Sequence, residues 1–284
     1  VTAADANYVY ALYGNDTGGY LGTFRSTDSG TSFTERSSPT SPDGTNNIIN
    51  CDISTTDPSG QAGHNLAIAV SPSNADLVTI GGCNIWQSSD GGITWTISAY
   101  WLGNDVNYPG QGEASPDYVH ADIQSIEYLP GSSSTMFATC DGGISKSTNT
   151  GANWTDISNN LRVAQMTNVG QSSLTPYNMI TGLQDIGTLK NSNGVWSVTN
   201  GGDGEDGFID RTDDNNIITS NPNGAFALST DAGVTKTNIT GLPAGVEFFS
   251  PIHQDPINAA LVYAGGRPAL YKSTGVLADA NAAW

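Results

Sequence analysis

Polar side chains that could act together on one ligand lie between residues 120 and 203, and they are His120, Asp122, Gln184, Asp185 and Asp203. A histidine, an amide and three carboxylates can exchange several hydrogen bonds with sugar hydroxyls. Asp122, Asp185, Asp203 and Asp206 could also supply a carboxylate pair for glycoside hydrolysis, provided that one carboxyl stays protonated near neutral pH. Whether these groups meet depends on the elements that carry them.

Four imperfect copies of one eight-residue pattern, here called octets, run along the chain: STDSGTSF (26–33), SSDGGITW (88–95), STNTGANW (147–154) and STDAGVTK (229–236). The third residue, usually Asp, can accept hydrogen bonds from backbone N–H groups of a turn, and the fifth, Gly, can take a positive φ. Each octet follows two short apolar segments. The octet therefore predicts the hairpin between the third and fourth strands of a small antiparallel sheet.

The spacing of the octets predicts the fold. Together with two further strand pairs, one ending in a degraded octet at SNGVW (192–196), they recur about every 40–60 residues, which is typical of β-propeller blades. We predict an all-β chain, a single β-propeller domain over 1–284 with four-stranded antiparallel blades. About six blades are expected, at roughly 1–36, 61–97, 119–158, 165–200, 207–240 and 246–284, with inserts at 37–60 and 98–118.

The octets resemble Asp-boxes, the repeats of bacterial neuraminidases that also occur in xyloglucan-degrading glycoside hydrolases and in sortilin-type receptors. The resemblance implies a propeller whose hairpins are built by Ser26, Asp28, Gly30, Phe33, Ser88, Asp90, Gly92, Trp95, Ser147, Asn149, Gly151, Trp154, Ser229, Asp231 and Gly233. Asn149 replaces the aspartate of the third octet, and Lys236 replaces the aromatic residue of the fourth. The octet aspartates are expected to cap turns rather than to catalyse.

The order of the segments YVHADIQSI (118–126), GLQDIGT (182–188) and GGDGEDG (201–207) is similar to large secreted bacterial surface proteins labelled glycosyl hydrolases. The composition agrees with export, because Lys and Arg total 9 against 27 Asp and Glu, a net charge of −18. Such a charge argues against nucleic acid and anionic membranes as partners, and no apolar run approaches the ~20 residues of a membrane span. We expect a secreted or cell-surface piece of a longer protein, whose partners are its parent's other domains and a glycan or surface protein.

The topology sorts residues by rim. In a blade of four alternating strands, the loops between strands 2 and 3 and the starts of the first strands lie opposite the octets. This rim is the expected ligand-binding face, and its candidates are His64, Trp101, Tyr108, His120, Asp122, Gln184, Asp185 and Asp203. Alternatives stay open for each: the two aromatic residues could stack on sugars or hold an insert in place, the histidines could anchor loops, and the whole set could tie blades together.

Two functions are compatible with these residues. The first is a noncatalytic module for adhesion, glycan or protein binding, or structural display, and the alternative is a glycoside hydrolase acting through the carboxylates named above. A sialidase is disfavoured because it holds its substrate carboxylate with three arginines. The chain has only five, and Arg25 occupies a repeat position that Lys146 and Lys272 also fill.

No organic cofactor is expected, but bound Ca²⁺ is a hypothesis for a carboxylate-rich segment interleaved with Gly and Asn. Its candidate ligands are Asp203, Glu205, Asp206, Asp210, Asp213 and Asp214. Cys51, in the first insert, and Cys83, in a loop between strands 2 and 3, fall on the same rim, and export favours oxidation. We therefore predict a Cys51–Cys83 disulfide and a free Cys140.

Overall fold

The computed structural model describes residues 1–41, 47–52, 57–102, 117–161, 164–242, 247–266 and 269–284. Tyr108 lies outside these ranges, so its predicted role stays a prediction. Within them the chain forms β-strands and one 3₁₀-helix, Pro222–Gly224, and no helix there is long and apolar enough to cross a membrane. The chain divides into two compact units, Val1–Leu161 and Arg162–Trp284.

The first unit contains three sheets. The first sheet is β1 (Val9–Gly14), β2 (Tyr20–Ser26) and β3 (Thr34–Ser37). The second is β4 (Ala67–Val70), β5 (Val78–Gly81), β6 (Ile85–Ser88), β7 (Thr96–Tyr100) and β8 (Asp117–Tyr118), and the third is β9 (Ile123–Tyr128), β10 (Met136–Cys140), β11 (Gly143–Ser147) and β12 (Thr155–Asp156).

The second unit also contains three sheets. The first is β13 (Met166–Gln171), β14 (Met179–Leu183), β15 (Gly187–Ser192) and β16 (Val195–Asn200). The next is β17 (Gly207–Ile209), β18 (Ile217–Asn221), β19 (Ala225–Ser229) and β20 (Thr237–Asn238), and the last is β21 (Ile252–Gln254), β22 (Val262–Gly265) and β23 (Leu270–Ser273).

In every sheet, strands that follow one another along the chain are hydrogen-bonded neighbours, and all these pairs are antiparallel except β7 with β8. First strands of successive sheets contact each other, β1 with β4 and β4 with β9 in one unit, β13 with β17 and β17 with β21 in the other. Four-stranded meanders with adjoining first strands are the construction of propeller blades. The predicted fold class is confirmed, whereas blade number and ring closure stay predictions.

The sheets differ from the predicted four strands in three places. The first and last sheets have three strands. In the first, the residues before Val9 form only the isolated bridge between Thr2 and Asp5. The second sheet gains a fifth strand because Asp117 and Tyr118, predicted to belong to an insert, pair in parallel with the open edge of β7.

Within each unit, the core lies between successive sheets, which stack on their apolar faces. Between the second and third sheets, buried Ile85, Ile123, Met136 and Trp154 belong to one cluster. A comparable cluster in the second unit joins its last two sheets through residues such as Phe226 and Val262. Alternate side chains of each strand face these interfaces, which explains why the strands are short segments rich in β-branched residues.

The octets form the predicted hairpins. In all four, the fifth-position glycine has φ between 84° and 89°, and its N–H donates to the first-position serine Oγ at 2.8 Å. The carboxylates of Asp28, Asp90 and Asp231 accept backbone N–H and hydroxyl donors within the turn. These hydrogen bonds hold the pKa of each of the three carboxyls at about 2. They are turn caps, engaged by their own hairpins.

The octets also join one sheet to the next. Trp95 Nε1 donates to Ser37 Oγ at 2.9 Å, and Ser37 Oγ donates to Gly92 O at 2.7 Å. Trp154 Nε1 and Ser98 Oγ repeat this pairing at 3.0 Å. We call this contact the indole–serine joint: an octet tryptophan binds the hydroxyl on the last long strand of the preceding sheet.

Candidate functional site

The loops of the first unit opposite its octets are linked by a disulfide between Cys51 and Cys83, as the sequence predicts, and Cys140 carries a free thiol. Asn84 Nδ2 donates to Cys51 O at 3.2 Å. Trp101 Nε1 donates to the same carbonyl at 3.1 Å. The indole of Trp101 therefore holds the first insert in place, which favours the packing alternative over a free sugar platform.

A polar network joins the starts of the second and third sheets. His64 Nε2 lies 2.8 Å from Asp141 Oδ2, and Gln124 Nε2 donates to Asp141 Oδ1 at 2.9 Å. Asp122 has φ of 67° and accepts a hydrogen bond from Asn65 Nδ2 at 2.5 Å. Burial raises the pKa of Asp122, and the negative charge of Asp141 adds to that effect.

His120 is half-buried, and its Nδ1 lies 3.2 Å from Ala121 O. Its position at the start of the third sheet agrees with the predicted rim. Neither Asp141 nor Asn65 was singled out from the sequence, since an isolated polar residue in a loop carries no signal of its partner.

In the second unit, Asp203 Oδ1 accepts the backbone N–H of Asp185 at 2.9 Å, and Asp185 has φ of 64°. Gly204 N donates to Leu183 O at 3.0 Å, and Gln184 N donates to Gln165 O at 3.2 Å. The loop with Gln184 and Asp185 is thus held against the connection with Asp203. Their predicted convergence with His120 and Asp122, which belong to the other unit, stays a prediction.

A cleft of about 280 Å³ lies at the start of the last two sheets. We call it the Glu205 cleft, and its lining is Thr167, Asn168, Glu205, Asp206, Phe249, Ser250, Pro251 and His253. Asp206 spends both carboxylate oxygens on the protein: Oδ1 accepts from Asn168 Nδ2 and from Gly207 N, and Oδ2 accepts from Ile252 N at 2.8 Å. His253 Nε2 lies 3.6 Å from the same Oδ2.

Glu205 differs from its acidic neighbours. Its side chain is 1% exposed; Oε2 accepts the N–H of Ser250 at 3.3 Å, whereas Oε1 has no hydrogen-bond partner among the described residues. Burial raises the pKa of Glu205 to about 7, the charges of Asp203 and Asp206 add to the rise, and the Ser250 N–H opposes it. Glu205 is therefore divided between its neutral and charged forms near neutral pH.

The carboxylates proposed for Ca²⁺ are used in separate local contacts. Asp210 Oδ1 accepts from Thr212 N at 2.9 Å, Asp213 Oδ1 accepts from Asn215 N at 3.0 Å, and Asp214 Oδ2 accepts from Asn178 Nδ2 at 3.1 Å. Among the residues that the structure describes, no three of the six proposed ligands lie close enough to share one ion. Calcium binding stays a prediction without a ligand cluster behind it.

No protein-family model and no curated protein matches the sequence. Among solved structures, a GH74 enzyme from Niastella koreensis is similar at 20% identity, covering 100% of this chain and 45% of that chain, with a TM-score of 0.37. The GH74 xyloglucanase from Xanthomonas campestris is similar at 13% identity, covering 96% and 44%, with a TM-score of 0.37. YCF48 from Cyanidioschyzon merolae is similar at 15% identity, covering 93% and 78%, with a TM-score of 0.31.

The chain spans less than half the length of either GH74 enzyme. Likeness at this level does not extend to individual residues, ligands or activities.

Proposed function

We propose that this chain is a noncatalytic ligand-binding module of the β-propeller kind, which serves adhesion or the binding of a glycan or protein within a larger secreted protein. The observation that carries the proposal is the Glu205 cleft. It combines the ring of Phe249, 52% exposed, with hydrogen-bonding groups of Asn168, Ser250 and His253. A half-exposed aromatic ring beside a few polar groups is typical of a binding site.

The contacts of the other carboxylates favour binding over catalysis. Asp122 is bonded to Asn65, Asp203 to the backbone of Asp185, and Asp206 to donors from three elements. A carboxylate that accepts hydrogen bonds from its own loops stabilises those loops and has fewer lone pairs left for a substrate. These interactions support the interpretation of the acidic residues as scaffold.

Three features support export. The first unit carries a disulfide, and disulfides persist in oxidising compartments. The net charge of −18 suits a soluble surface exposed outside the cell. The octets, with their serine–glycine and aspartate–backbone bonds, resemble the Asp-box hairpins of secreted proteins.

The test is a glycan and peptide array, run beside hydrolysis assays on polysaccharides that include xyloglucan. We expect binding without hydrolysis, and Phe249→Ala should weaken it at least about tenfold because a stacking face is lost. Phe33→Ala is the matched control, since Phe33 is 46% exposed and lies in the other unit. Catalytic turnover, or binding that Phe249→Ala leaves unchanged, would overturn the proposal.

Glu205 favours one second candidate, a glycoside hydrolase. A buried carboxyl whose pKa is about 7 has the protonation state of a general acid at neutral pH. The proposal of hydrolase activity requires that Glu205→Gln abolish the release of reducing sugar while substrate binding persists. Absence of any turnover by the unmodified protein would dismiss it.

A further inference from the structure

The last strand of the sheet β13–β16 leaves an open edge. β16, Val195–Asn200, is the outermost strand there, and among the strands that the structure describes it pairs with β15 alone. The edge of a sheet presents unpaired backbone N–H and C=O groups, which can accept a further strand. β16 therefore carries a row of backbone hydrogen-bonding groups that another strand could fill.

The last strands of the other sheets are protected against such pairing. β8, β12 and β20 have two residues each, and β3 and β23 have four. β3 contains Glu35 and Arg36, and β23 contains Lys272. Short strands and charged side chains are two means by which proteins prevent pairing at a sheet edge. β16 has six residues, VWSVTN, and none of them is charged.

Side chains on both faces of β16 are open to solvent. Val195 is 69% exposed, Trp196 49% and Val198 62%, and alternate side chains of a strand point to opposite faces. The pairing with β15 is regular from Val195 to Val198, and its register shifts only beyond Val198. The edge is thus regular, apolar and accessible over four residues.

The turn before β16 determines which of its backbone groups point outward. Asn193 and Gly194 form a two-residue turn between the paired Ser192 and Val195, and the pair that closes such a turn exchanges hydrogen bonds. Alternate residues along the strand then direct both of their backbone groups away from the partner strand. In β16 these residues are Trp196 and Val198.

The charge of this sheet indicates what kind of partner it fits. Residues 166–200 contain one acidic residue, Asp185, and one basic residue, Lys190, whereas the whole chain has a net charge of −18. Lys190 Nζ donates to Ala232 O, so its charge is engaged within the chain. A cationic partner would be attracted to more acidic surfaces, whereas a second copy of this acidic chain meets least repulsion at a neutral face.

We propose that two copies of this chain associate by antiparallel pairing of β16 with β16 about a two-fold axis. With the axis at Ser197, Trp196 of one copy lies opposite Val198 of the other, and both residues offer outward backbone groups. An aromatic ring and a β-branched side chain form a favourable cross-strand pair. The pairing uses up the open edge, so association ends at the dimer. The inference does not rest on the Glu205 cleft.

The dimer should be weak and strengthened by salt. Six residues of strand span about 20 Å, and the pairing of two such edges buries less than the roughly 800 Å² per partner of a standard interface. The net charge of −18 on each copy opposes association. Raising NaCl from about 0.05 M to about 0.5 M shortens the Debye length from about 14 Å to about 4 Å, which screens this repulsion.

The test is sedimentation equilibrium of the full chain over a range of concentrations at both salt levels. We expect a monomer–dimer equilibrium whose dissociation constant falls at least about threefold as salt rises. Val198→Lys should raise the dissociation constant at least about tenfold, because a lysine on the edge protects it as in β23. Val234→Lys is the matched control, since Val234 lies in an octet of the same unit and is 82% exposed.

A cysteine at the two-fold axis tests the register. Ser197 would face Ser197 of the other copy in a pair without hydrogen bonds, where Cα atoms lie about 4.5 Å apart, which is within the range of a disulfide. Ser197→Cys should therefore form a disulfide-linked dimer under mild oxidation, in a chain whose free thiol is removed by Cys140→Ser. Thr155→Cys, on the exposed two-residue strand β12, is the control and should cross-link much more slowly.

Several results would overturn the inference. A chain that stays monomeric at its highest soluble concentration in high salt has no such interface. A dimer that Val198→Lys leaves intact forms through another surface, and association that salt weakens depends on attraction between unlike charges. Species larger than the dimer, or equal cross-linking of the two cysteine variants, would also exclude paired β16 edges. None of these results bears on ligand binding by the Glu205 cleft, which Phe249→Ala tests separately.

Discussion

At the scale of single residues, Glu205 makes stability depend on pH. Its pKa is raised from 4.5 to about 7 by burial, so the neutral form is the one that folding favours. The stabilisation is fully present below about pH 4.5 and is lost as pH rises through about 7.

We expect the thermal unfolding midpoint of the unit that contains Glu205 to fall by about 3 °C between pH 6 and pH 8. Glu205→Gln should remove this fall, because the amide cannot ionise. Asp213→Asn, on an exposed turn of the same unit, serves as the control. A pH profile that Glu205→Gln leaves unaltered would contradict the assignment.

The pKa values of the octet aspartates lie below the usual range, and that of Asp90 is about 2. Asn149 does the same work in the third octet, since its Oδ1 accepts from Asn153 N at 2.9 Å. Asp90→Asn should therefore be tolerated. Asp90→Ala should cost about 1 kcal/mol, because the turn loses its acceptor.

Urea unfolding at neutral pH measures both Asp90 variants. The chain itself supplies the comparison, because one octet already carries asparagine. Equal destabilisation by asparagine and alanine would show that charge, and not the accepted hydrogen bond, stabilises the hairpin.

The sequence could not separate Glu205 from Asp203 and Asp206. All three are acidic residues in one glycine-rich connection, and their chemistry differs only through burial and partners. Asp203 caps a loop and Asp206 links three elements, whereas Glu205 Oε1 has no hydrogen-bond partner in the part of the chain that the structure describes. The contact of Asp203 with Asp185 was predictable, because alternating strands place their two segments on one side of the sheet.

At the scale of elements, the indole–serine joint is the contact to test. A double-mutant cycle of Trp95→Phe and Ser37→Ala should give a coupling of about 1 kcal/mol, since the N–H donor and the hydroxyl acceptor form one bond. Trp196→Phe is the control, because that ring is 49% exposed on β16. If the stability effects of Trp95→Phe and Ser37→Ala are additive, the two side chains do not stabilise the protein through this hydrogen bond.

The hairpins were predictable and the sheet edges were not. An octet specifies its own turn through serine, aspartate and glycine, and the degraded octet forms a tight turn in which Asn193 and Gly194 have φ of 53° and 89°. By contrast, the pairing of β8 with β7 depends on which segment reaches an open edge. The local sequence around Asp117 and Tyr118 does not indicate that they pair with β7.

At the scale of the whole molecule, one covalent link holds the long first insert. The Cys51–Cys83 bond has a sequence separation of 32, and opening a loop of this size should cost about 3–4 kcal/mol. Reduction should lower the unfolding midpoint of the first unit, and peptide mapping without reduction should recover the Cys51–Cys83 pair. A Cys83–Cys140 link, or three free thiols, would contradict it.

The second unit makes its inter-sheet contact with different chemistry. Lys236 replaces the octet tryptophan, and its Nζ contacts Asn200 Oδ1, while Lys190 Nζ donates to Ala232 O at 2.7 Å. Between the first and second, the second and third, and the fourth and fifth sheets, the octet of one sheet thus binds a polar group of the sheet before it. Gene duplication can lengthen such an array only if the octet side chain of the new sheet matches the polar group on the sheet before it. If a sheet with an octet tryptophan were duplicated next to a sheet of the second unit, its indole N–H would face Asn200 in place of a strand serine, and the two groups would not match.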